Sequence, residues 1–424
     1  MTLLLRLIGA RRFLPLFVTQ FLGAFNDNLF KTAMVMLVTY QVYNDPTKEA
    51  SFNALAGGIF ILPFFLFSAL SGQLADSRDK ARIIRLVKTA EIVIMIAGAT
   101  GLLLQSVPLM LIALFAMGIH STFFGPIKYA ILPQHLNRDE VLGGTGLVEA
   151  GTYGAILIGT IVGGLITSNI AAFAVLAIAL LGRLAGSQVP PAPPEKDVVV
   201  PRMDWHIIRS SITLVNATLH IPRVFLAIAA ISFFWAQGAI LAAQFPPLVK
   251  NVFSANQEVA TLFLAIFSIG VAIGSILINR LLAGRVAAKF APLAAIAMGL
   301  FIMHLYWCVK AWPDDTEGLI DIYTFVRLRH AEWVMVDLLG VAVAGGMFVV
   351  PLYAFLTTTV HKSETARTVA ANNIVNSGGM VVAALLLTGV VQLGVSVADT
   401  LLLVAIMSLG AAWLGWKLHL ACDC

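Results

Sequence analysis

The chain has 424 residues, of which 59% are hydrophobic and 12% are charged. An ordinary soluble protein has about 45–50% apolar and about 25% charged residues, so this much apolar surface needs lipid as its solvent. The composition therefore excludes a soluble enzyme, a disordered chain and a secreted disulfide scaffold. It predicts an all-α membrane protein with many spans.

A helix needs about 20 apolar residues to cross the hydrocarbon layer of a bilayer. Twelve such runs occur, and the predicted spans lie near 13–42, 52–75, 83–104, 107–132, 144–168, 170–187, 224–250, 258–282, 288–311, 333–360, 367–393 and 396–418. With the N-terminus in the cytoplasm, twenty of the 27 Lys and Arg residues lie in cytoplasmic segments and five lie outside. This bias predicts that both termini are cytoplasmic. It also accounts for the net charge of +5 without a nucleic-acid partner.

The segment between the sixth and seventh spans divides the predicted protein into two halves. Residues 1–187 form an N-terminal six-helix half, residues 188–223 a cytoplasmic linker, and residues 224–424 a C-terminal six-helix half. The stretch Pro190–Pro194 contains four prolines and is typical of a stiff linker.

An amphipathic helix is predicted within this linker. Asp204 can cap its N-terminus, and apolar residues then recur at helical spacing: Ile208, Ile212, Val215 and Leu219. Such a stripe is typical of a helix that lies on the inner membrane surface.

Two pairs of segments match between the halves and indicate an internal repeat. Pro126-Ile-Lys-Tyr-Ala in the fourth span matches Pro351-Leu-Tyr-Ala in the tenth. Gly146-Leu-Val-Glu in the fifth span matches Asn373-Ile-Val-Asn in the eleventh. Their shared order predicts two halves of similar structure.

Several motifs resemble those of one transporter family. They are the loop from Gly72 to Arg82, the segment from Gln20 to Asn28, Gly125-Pro-Ile-Lys-Tyr-Ala-Ile-Leu, Gly146-Leu-Val-Glu-Ala and Val349-Val-Pro-Leu-Tyr-Ala. Together with the six-plus-six arrangement, they resemble the bacterial lysophospholipid transporters of the major facilitator superfamily. Some of these transporters are fused to an acyltransferase and an acyl-carrier-protein ligase. The resemblance covers essentially the whole chain.

This resemblance implies a flippase of the bacterial inner membrane that works by alternating access. Its substrates would be lysophospholipids such as lysophosphatidylethanolamine and lysophosphatidylglycerol. They would move from the outer to the inner leaflet and be re-acylated there by an acyltransferase or acyl-carrier-protein ligase. The implied partners are therefore the lysophospholipid, the surrounding lipids and that enzyme.

Ionisable residues inside the spans are the first candidates for a substrate site, because each is costly in lipid unless it has a role. Asp27 and Asn28 form a polar band in the first span, although Asp27 could instead pair structurally with Lys31 or Lys128. Lys128 follows Gly125-Pro126, which is expected to break the fourth helix, and it could bind a phosphate. The alternative for Lys128 is snorkelling to the nearby membrane surface.

Other ionisable residues in the spans have less specific roles. Glu149 could contact substrate, gate the cytoplasmic side or form a structural ion pair. Lys88 and Glu91 are expected to pair along one helix face, without a role in transport. Asp337 is expected to be solvated near the outer surface, and His120 to be a hydrogen-bonded packing residue.

The predicted C-terminal half has few charges inside its spans and offers neutral side chains instead. Gln237, Asn373 and Asn376 are the candidate substrate-binding residues there, with Gln244 nearby. The stand-alone lysophospholipid transporters have an Arg in the seventh span, and Ala242 occupies that place here. Headgroup recognition by this half would therefore use neutral hydrogen bonds.

Conformational change is expected to involve the loop after the second span. The resemblance implies that Asp76, with Arg78 and Arg82, latches the cytoplasmic side in the outward-open state. The alternative is a plain positive-inside loop, which explains the Arg residues but not Asp76.

Two glycine pairs predict close helix approach, Gly159-x-x-x-Gly163 in the fifth span and Gly270-x-x-x-Gly274 in the eighth. In the superfamily these two helices meet at the moving interface between the halves.

Two other function classes compete with the flippase. A proton-coupled exporter of amphiphilic drugs could use Asp27 or Glu149 as its proton carrier. A membrane acyltransferase would need a His-x-x-x-x-Asp motif, and His135-Leu-Asn-Arg-Asp139 is one residue short of it. The sequence has no phosphate loop, nucleophile triad or metal-ligand cluster. We therefore expect no enzyme activity, no cofactor and no metal site.

Overall fold

The computed structural model describes residues 7, 9–194, 204–282, 287–313, 318–359 and 365–422. The described residues form twelve helices of 20 residues or more. We number them α1 (Leu14–Leu37), α2 (Pro46–Ser77), α3 (Lys80–Leu103), α4 (Val107–Ala130), α5 (Arg138–Leu165), α6 (Ser168–Ser187), α7 (Pro222–Asn251), α8 (Gln257–Leu281), α9 (Ala291–Lys310), α10 (Ala331–Thr359), α11 (Thr365–Gln392) and α12 (Thr400–Cys422).

Most of these helices have the length and composition of membrane spans. Within the described part of the chain, ten are long and apolar enough to cross a bilayer. The other two are α1, which carries the polar band around Asp27, and α5, whose apolar stretch is Ala150–Leu165. The predicted all-α fold with twelve helices is therefore confirmed.

The first two helices differ from their predicted spans at the end of α1 and the start of α2. A π-helix, Val38–Val42, follows α1, and α2 begins at Pro46 rather than near residue 52. The first turn of α2 contains Lys48 and Glu49, and such charged residues lower the hydropathy from which spans are recognised. Hydropathy therefore does not show where α2 begins.

The chain forms two compact units. The first contains residues 1–37 and 66–211, and the second contains residues 38–65 and 212–424. In the first unit, α1 packs on α5 and α6, and α3 packs on α4 and α6. In the second, α7 packs on α11 and α12, and α9 packs on α10 and α12. Each pair recurs six helices later, so the internal repeat read from the sequence is also present in the packing.

Glycines allow the closest helix contacts in both units. A Cβ atom built at Gly163 would lie 2.6 Å from the carbonyl oxygen of Leu29, so α5 could not approach α1 this closely with a larger residue. Gly274 of α8 approaches the backbone of Val343 in α10 in the same way. Both predicted small-residue faces therefore serve packing within a unit.

A buried ion pair fixes one end of α7 inside the second unit. Glu49 is fully buried, and Lys250 Nζ donates a hydrogen bond of 2.6 Å to its Oε1. The same ammonium donates to the carbonyl oxygens of Thr39 and Tyr43, at 2.6 and 3.0 Å. Asn251 Nδ2 donates to Glu49 Oε2 at 2.6 Å. Lys250 thus satisfies carbonyls that are left free around the end of the π-helix.

The proline-rich stretch after α6 is attached to the first unit. The backbone N–H of Ala192 donates to Asp79 Oδ1 at 2.9 Å, and that of Lys80 donates to the Ala192 carbonyl at 3.0 Å. Gln134 Nε2 donates to the Pro193 carbonyl at 3.2 Å. Proline has no N–H to donate, so this stretch offers mainly carbonyls to the side chains around it.

A short surface helix, Ile207–Leu219, follows the linker. Asp204 accepts the backbone N–H of His206 at its start, and two hydrogen bonds from Arg209 lower the pKa of Asp204 to about 2. Ile208 and Ile212 are exposed, at 71% and 52%. An exposed apolar face of this kind is consistent with contact with lipid. The position of this helix on the membrane surface stays a prediction.

Candidate functional site

Asp27 lies buried in the middle of α1. The Oγ of Ser121 in α4 donates a hydrogen bond to Asp27 Oδ2. Asp27 Oδ1 has no hydrogen-bond partner among the described residues. A buried carboxylate oxygen without a donor is unfavourable in a low-dielectric medium. Asp27 can therefore accept a further hydrogen bond, for example from an ammonium or hydroxyl group.

A second buried carboxylate, Glu91 in α3, is fully surrounded by donors. Lys88 Nζ donates to Glu91 Oε2 at 2.6 Å, which confirms the predicted pair. Asn26 Nδ2 of α1 donates to Glu91 Oε1 at 3.0 Å, and His120 Nε2 of α4 lies 3.3 Å from Oε2. A buried ion pair with this many partners holds three helices together and indicates a structural role.

Small residues make room for the side chain of Lys88. A Cβ built at Gly23 would lie 2.7 Å from Lys88 Nζ, and one at Gly182 would lie 3.5 Å away. On another side, Nζ lies 5.5 Å from the centroid of the Phe124 ring. The lysine can therefore be buried completely, in contact with a carboxylate and an aromatic face.

Lys128 of α4 is half-buried and belongs to a separate polar network. Its Nζ donates to Thr152 Oγ1 of α5 at 3.1 Å and lies 4.8 Å from the centroid of the Tyr129 ring. Thr152 Oγ1 in turn donates to Gln20 Oε1 of α1 at 2.8 Å. These contacts orient the ammonium group among α1, α4 and α5.

The predicted helix break at Pro126 is wrong, because α4 continues through it to Ala130. Proline removes the N–H that would bond the carbonyl of Thr122, four residues earlier. Ser71 Oγ of α2 donates to this carbonyl at 2.8 Å and replaces the missing bond. Lys128 therefore lies on the last turn of an intact helix.

The second unit has a polar network on the corresponding helices. Trp235 Nε1 of α7 donates to Tyr353 Oη of α10 at 2.9 Å. Asn376 Nδ2 of α11 donates to the same oxygen at 3.4 Å, and Ser232 Oγ of α7 donates to Asn376 Oδ1 at 2.7 Å. All four side chains are uncharged, so this network can offer hydrogen bonds but no ion pair.

Further amides in the second unit are buried and incompletely bonded. Ser408 Oγ of α12 donates to Gln237 Oε1 at 3.1 Å, but Gln237 Nε2 has no partner among the described residues. The same holds for both amide atoms of Gln244 and of Asn372. These groups can still donate to or accept from a polar ligand.

The remaining predicted binding residues have different surroundings. Asn28 Nδ2 donates to the Ala24 carbonyl of its own helix at 2.8 Å. Asn373 and Ala242 are exposed. The side chain of Glu149 lies outside the described residues. Their roles in substrate binding stay predictions.

The predicted latch is described only in part. Arg78 and Arg82 are exposed, and the side chain of Asp76 lies outside the described residues. The neighbouring Asp79 caps α3 by accepting the Ala81 N–H at 3.0 Å, in addition to its bond from Ala192. Asp79 therefore connects the linker to the start of α3 through these two hydrogen bonds.

One site prediction is wrong, and three residues of the polar networks have no counterpart in the predictions. Asp337 was expected to be solvated, but it is only 2% exposed and accepts a hydrogen bond at 2.7 Å from His304. Ser121, Thr152 and Tyr353 were not predicted. Hydroxyl groups are common in membrane helices, so Ser121 and Thr152 carry no sequence signal. Tyr353 does, because it follows Pro351 by two residues as Lys128 follows Pro126.

Comparisons with known proteins agree with this architecture. The sequence profile of the Major Facilitator Superfamily matches residues 16–384. The lysophospholipid transporter LplT of Salmonella newport strain SL254 is 26% identical over 397 residues, which cover 92% of this chain and 90% of the relative.

Solved transporter structures share the fold at low sequence identity. The POT family transporter PepTSo superposes with a TM-score of 0.70 at 12% identity, over 97% of this chain and 98% of that one. A bacterial homologue of the human lysosomal transporter Spinster, in an inward-facing and unoccupied conformation, gives a TM-score of 0.67 at 13% identity, over 97% of each chain. With its twelve helices, its repeated packing and a profile match along most of its length, the chain belongs to the Major Facilitator Superfamily of membrane transporters.

Proposed function

We propose that this protein is a lysophospholipid flippase of a bacterial inner membrane. Its substrates are single-chain lipids such as lysophosphatidylethanolamine and lysophosphatidylglycerol, which it moves from the outer to the inner leaflet by alternating access. An acyltransferase or acyl-carrier-protein ligase then re-acylates them. Both termini lie in the cytoplasm in this proposal, as the distribution of Lys and Arg favours.

The observation that carries this proposal is the position of Lys128. Its ammonium is half-buried on a membrane helix and is oriented by Thr152 and Tyr129. Ionisable residues inside membrane helices commonly mark substrate pathways, and an ammonium group at this position can attract the phosphate of a lysophospholipid. The relatives named lysophospholipid transporters support the same substrate class.

Each unit also has polar groups that suit other parts of a lysophospholipid. In the first unit, Asp27 Oδ1 is available for an ammonium or hydroxyl group. In the second unit, the amides of Gln237, Gln244 and Asn372 can bond glycerol or ester oxygens. The acyl chain needs only apolar helix surface. A substrate with one charged end and one long apolar end therefore fits this set of residues better than a fully polar solute.

Transport needs no coupled ion in this proposal. A lysolipid produced in the outer leaflet and consumed in the inner leaflet already moves down its concentration gradient. The alternative is a proton-coupled exporter of amphiphilic drugs. One observation favours it, because the unsatisfied Oδ1 of Asp27 could accept a proton.

Transport by reconstituted protein distinguishes the two functions. Liposomes containing the protein receive fluorescent lysophosphatidylethanolamine, and uptake into the inner leaflet is measured with and without a pH gradient. A parallel assay follows a panel of cationic dyes. We expect the lipid to cross without a gradient, Lys128→Ala to abolish this movement and Lys128→Arg to retain part of it, because Arg keeps the positive charge.

The control is Lys289→Ala, since Lys289 is an exposed lysine at the start of α9. It should transport at the wild-type rate. Wild-type transport by a folded Lys128→Ala variant would show that Lys128 does not bind the phosphate. Dye transport that depends on the gradient, without lipid movement, would favour the exporter.

A further inference from the structure

Three side chains with different metal-binding atoms converge on one face of the helix pair α9–α10. His304 and Cys308 are four residues apart in α9, so they lie on the same side of that helix. Asp337 comes from α10, which packs against α9. The imidazole, thiol and carboxylate atoms of these residues all lie within 4.8 Å of one another.

The individual distances are close to those in a tetrahedral metal site. Cys308 Sγ lies 3.8 Å from His304 Nδ1 and 3.8 Å from Asp337 Oδ2. With Zn–S near 2.3 Å and Zn–N and Zn–O near 2.0 Å, tetrahedral geometry separates sulfur from the other ligands by about 3.6 Å. His304 Nδ1 lies 2.7 Å from Asp337 Oδ2. The ion would replace this hydrogen bond, and the two atoms would move apart by roughly 0.6 Å to become its ligands.

The surroundings of the cluster allow an ion to enter from water. His304 has a half-exposed side chain and Cys308 is partly exposed, whereas Asp337 is buried behind them. Trp307 and Trp333 are exposed nearby, and the ring of Trp333 lies 6.0 Å from that of His304. Exposed tryptophans at the ends of membrane helices are typical of the interface between lipid and water.

The charges of the cluster also suit a divalent ion. A Cys308 thiolate and the Asp337 carboxylate together balance two positive charges, so the occupied site would be neutral in a region of low dielectric. The nearest lysine in the sequence, Lys310, is engaged elsewhere, because its Nζ lies 2.8 Å from Asp399 Oδ1. Its charge is therefore partly compensated and does not oppose the entry of a cation.

We propose that His304, Cys308 and Asp337 form a binding site for a divalent transition-metal ion such as Zn²⁺. Sulfur and nitrogen ligands favour Zn²⁺ over Mg²⁺ and Ca²⁺, which prefer oxygen. His304 binds through Nδ1 as the neutral tautomer with its proton on Nε2, so the proton that Nδ1 shares with Asp337 must first leave that nitrogen, and any excess proton goes to water. Cys308 releases its thiol proton to water, and a water molecule completes the tetrahedron. The bound ion links α9 to α10 at this end of the helices.

This proposal is independent of the transported substrate. The sequence predicts no metal site, because it does not show that α10 brings Asp337 beside His304 and Cys308.

Cobalt absorbance tests the site directly. Full-length protein carrying Cys422→Ser and Cys424→Ser is purified through a tag without histidine and titrated with Co²⁺. We expect about one equivalent to produce tetrahedral d–d bands and a thiolate charge-transfer band, both displaced by Zn²⁺ and not by Mg²⁺. Cys308→Ser should lose the thiolate band, and His304→Gln should weaken binding at least about tenfold.

His220→Gln is the matched control, since His220 is an exposed histidine away from the cluster, and it should bind Co²⁺ like the parent. Alkylation of Cys308 by a maleimide gives a second readout, which uses the parent protein and does not require a further variant to fold. Zn²⁺ should slow this alkylation, and EDTA should restore it. No binding by the parent, an unchanged thiolate band in Cys308→Ser, or equal affinity in His304→Gln would overturn the proposal.

Discussion

Corresponding helices in the two halves hold polar networks that differ in charge. In the first half, Lys128 of α4 donates to Thr152 of α5. In the second half, Tyr353 of α10 accepts from Asn376 of α11. Lys128 and Tyr353 each follow a proline by two residues, so the same spacing from proline carries a charged residue in one half and a neutral one in the other.

This difference indicates how the two halves of a duplicated fold can take different roles in substrate binding. A lysine in a membrane helix can bind an anion but is costly to bury, whereas a tyrosine satisfies its neighbours with neutral hydrogen bonds. In our proposal the first half therefore recognises the charged headgroup. The second half orders its helices through Tyr353 and offers neutral amides to the substrate.

Removing the buried charge of Lys88 should have the largest effect on stability. Lys88→Ala leaves Glu91 without its ammonium partner, and such a change costs about 3–5 kcal/mol in the free energy of unfolding. We expect a large fall in the melting temperature of the purified protein. The double variant Lys88→Met with Glu91→Leu should recover part of the loss, because it removes both charges.

The exposed Lys48 provides the control, and Lys48→Ala should melt like the parent. If Lys88→Ala melts at the same temperature as this control, the Lys88–Glu91 pair does not stabilise the first half.

A smaller effect is expected when the neutral network of the second half is disturbed. Tyr353→Phe removes the oxygen that accepts from Trp235 and Asn376, and it should cost about 1–2 kcal/mol. Lipid uptake should fall less than in Lys128→Ala, since no charge is lost. Tyr323→Phe, at an exposed tyrosine, is the control. A complete loss of uptake in folded Tyr353→Phe protein would place headgroup recognition in the second half as well.

The smallest expected effect comes from adding a charge to the second half. Ala242 is exposed on α7, at the place where the family resemblance leads us to expect an arginine. Ala242→Arg should raise the preference for lysophosphatidylglycerol over lysophosphatidylethanolamine, by at most about fivefold, because an exposed ion pair contributes about 0.2–1 kcal/mol. Competition between the two labelled lipids measures this ratio. Ala242→Gln adds a polar side chain without the charge, and an equal shift in that variant would argue against an electrostatic cause.

Hydropathy predicted the helices well where the surroundings are uniformly lipid. The sixth predicted span, 170–187, corresponds to α6 at Ser168–Ser187. The prediction of a helix break from proline was wrong, because a neighbouring helix supplies the missing hydrogen bond. The expected break at Pro126 does not occur because Ser71 bonds the carbonyl of Thr122, and nothing in the sequence places Ser71 there.

The candidate site was predictable in part for the same reason. Charges inside spans are rare, so Asp27 and Lys128 stood out in the sequence. Their partners Ser121 and Thr152 did not, since a hydroxyl can bond its own helix backbone and gives no sign of facing inward. Asp337 was placed in water because it lies near a helix end, whereas α9 covers it with His304 and Cys308.

The ion pair between Glu49 and Lys250 has a consequence for attempts to divide the chain. A fragment that ends in the linker after α6 would contain Glu49 but not Lys250, although both belong to the second compact unit. Its carboxylate would lose the ammonium that compensates it, and the end of the π-helix would lose the donor that satisfies its carbonyls. We therefore expect the region around Glu49 to be less stable in such a fragment than in the full chain.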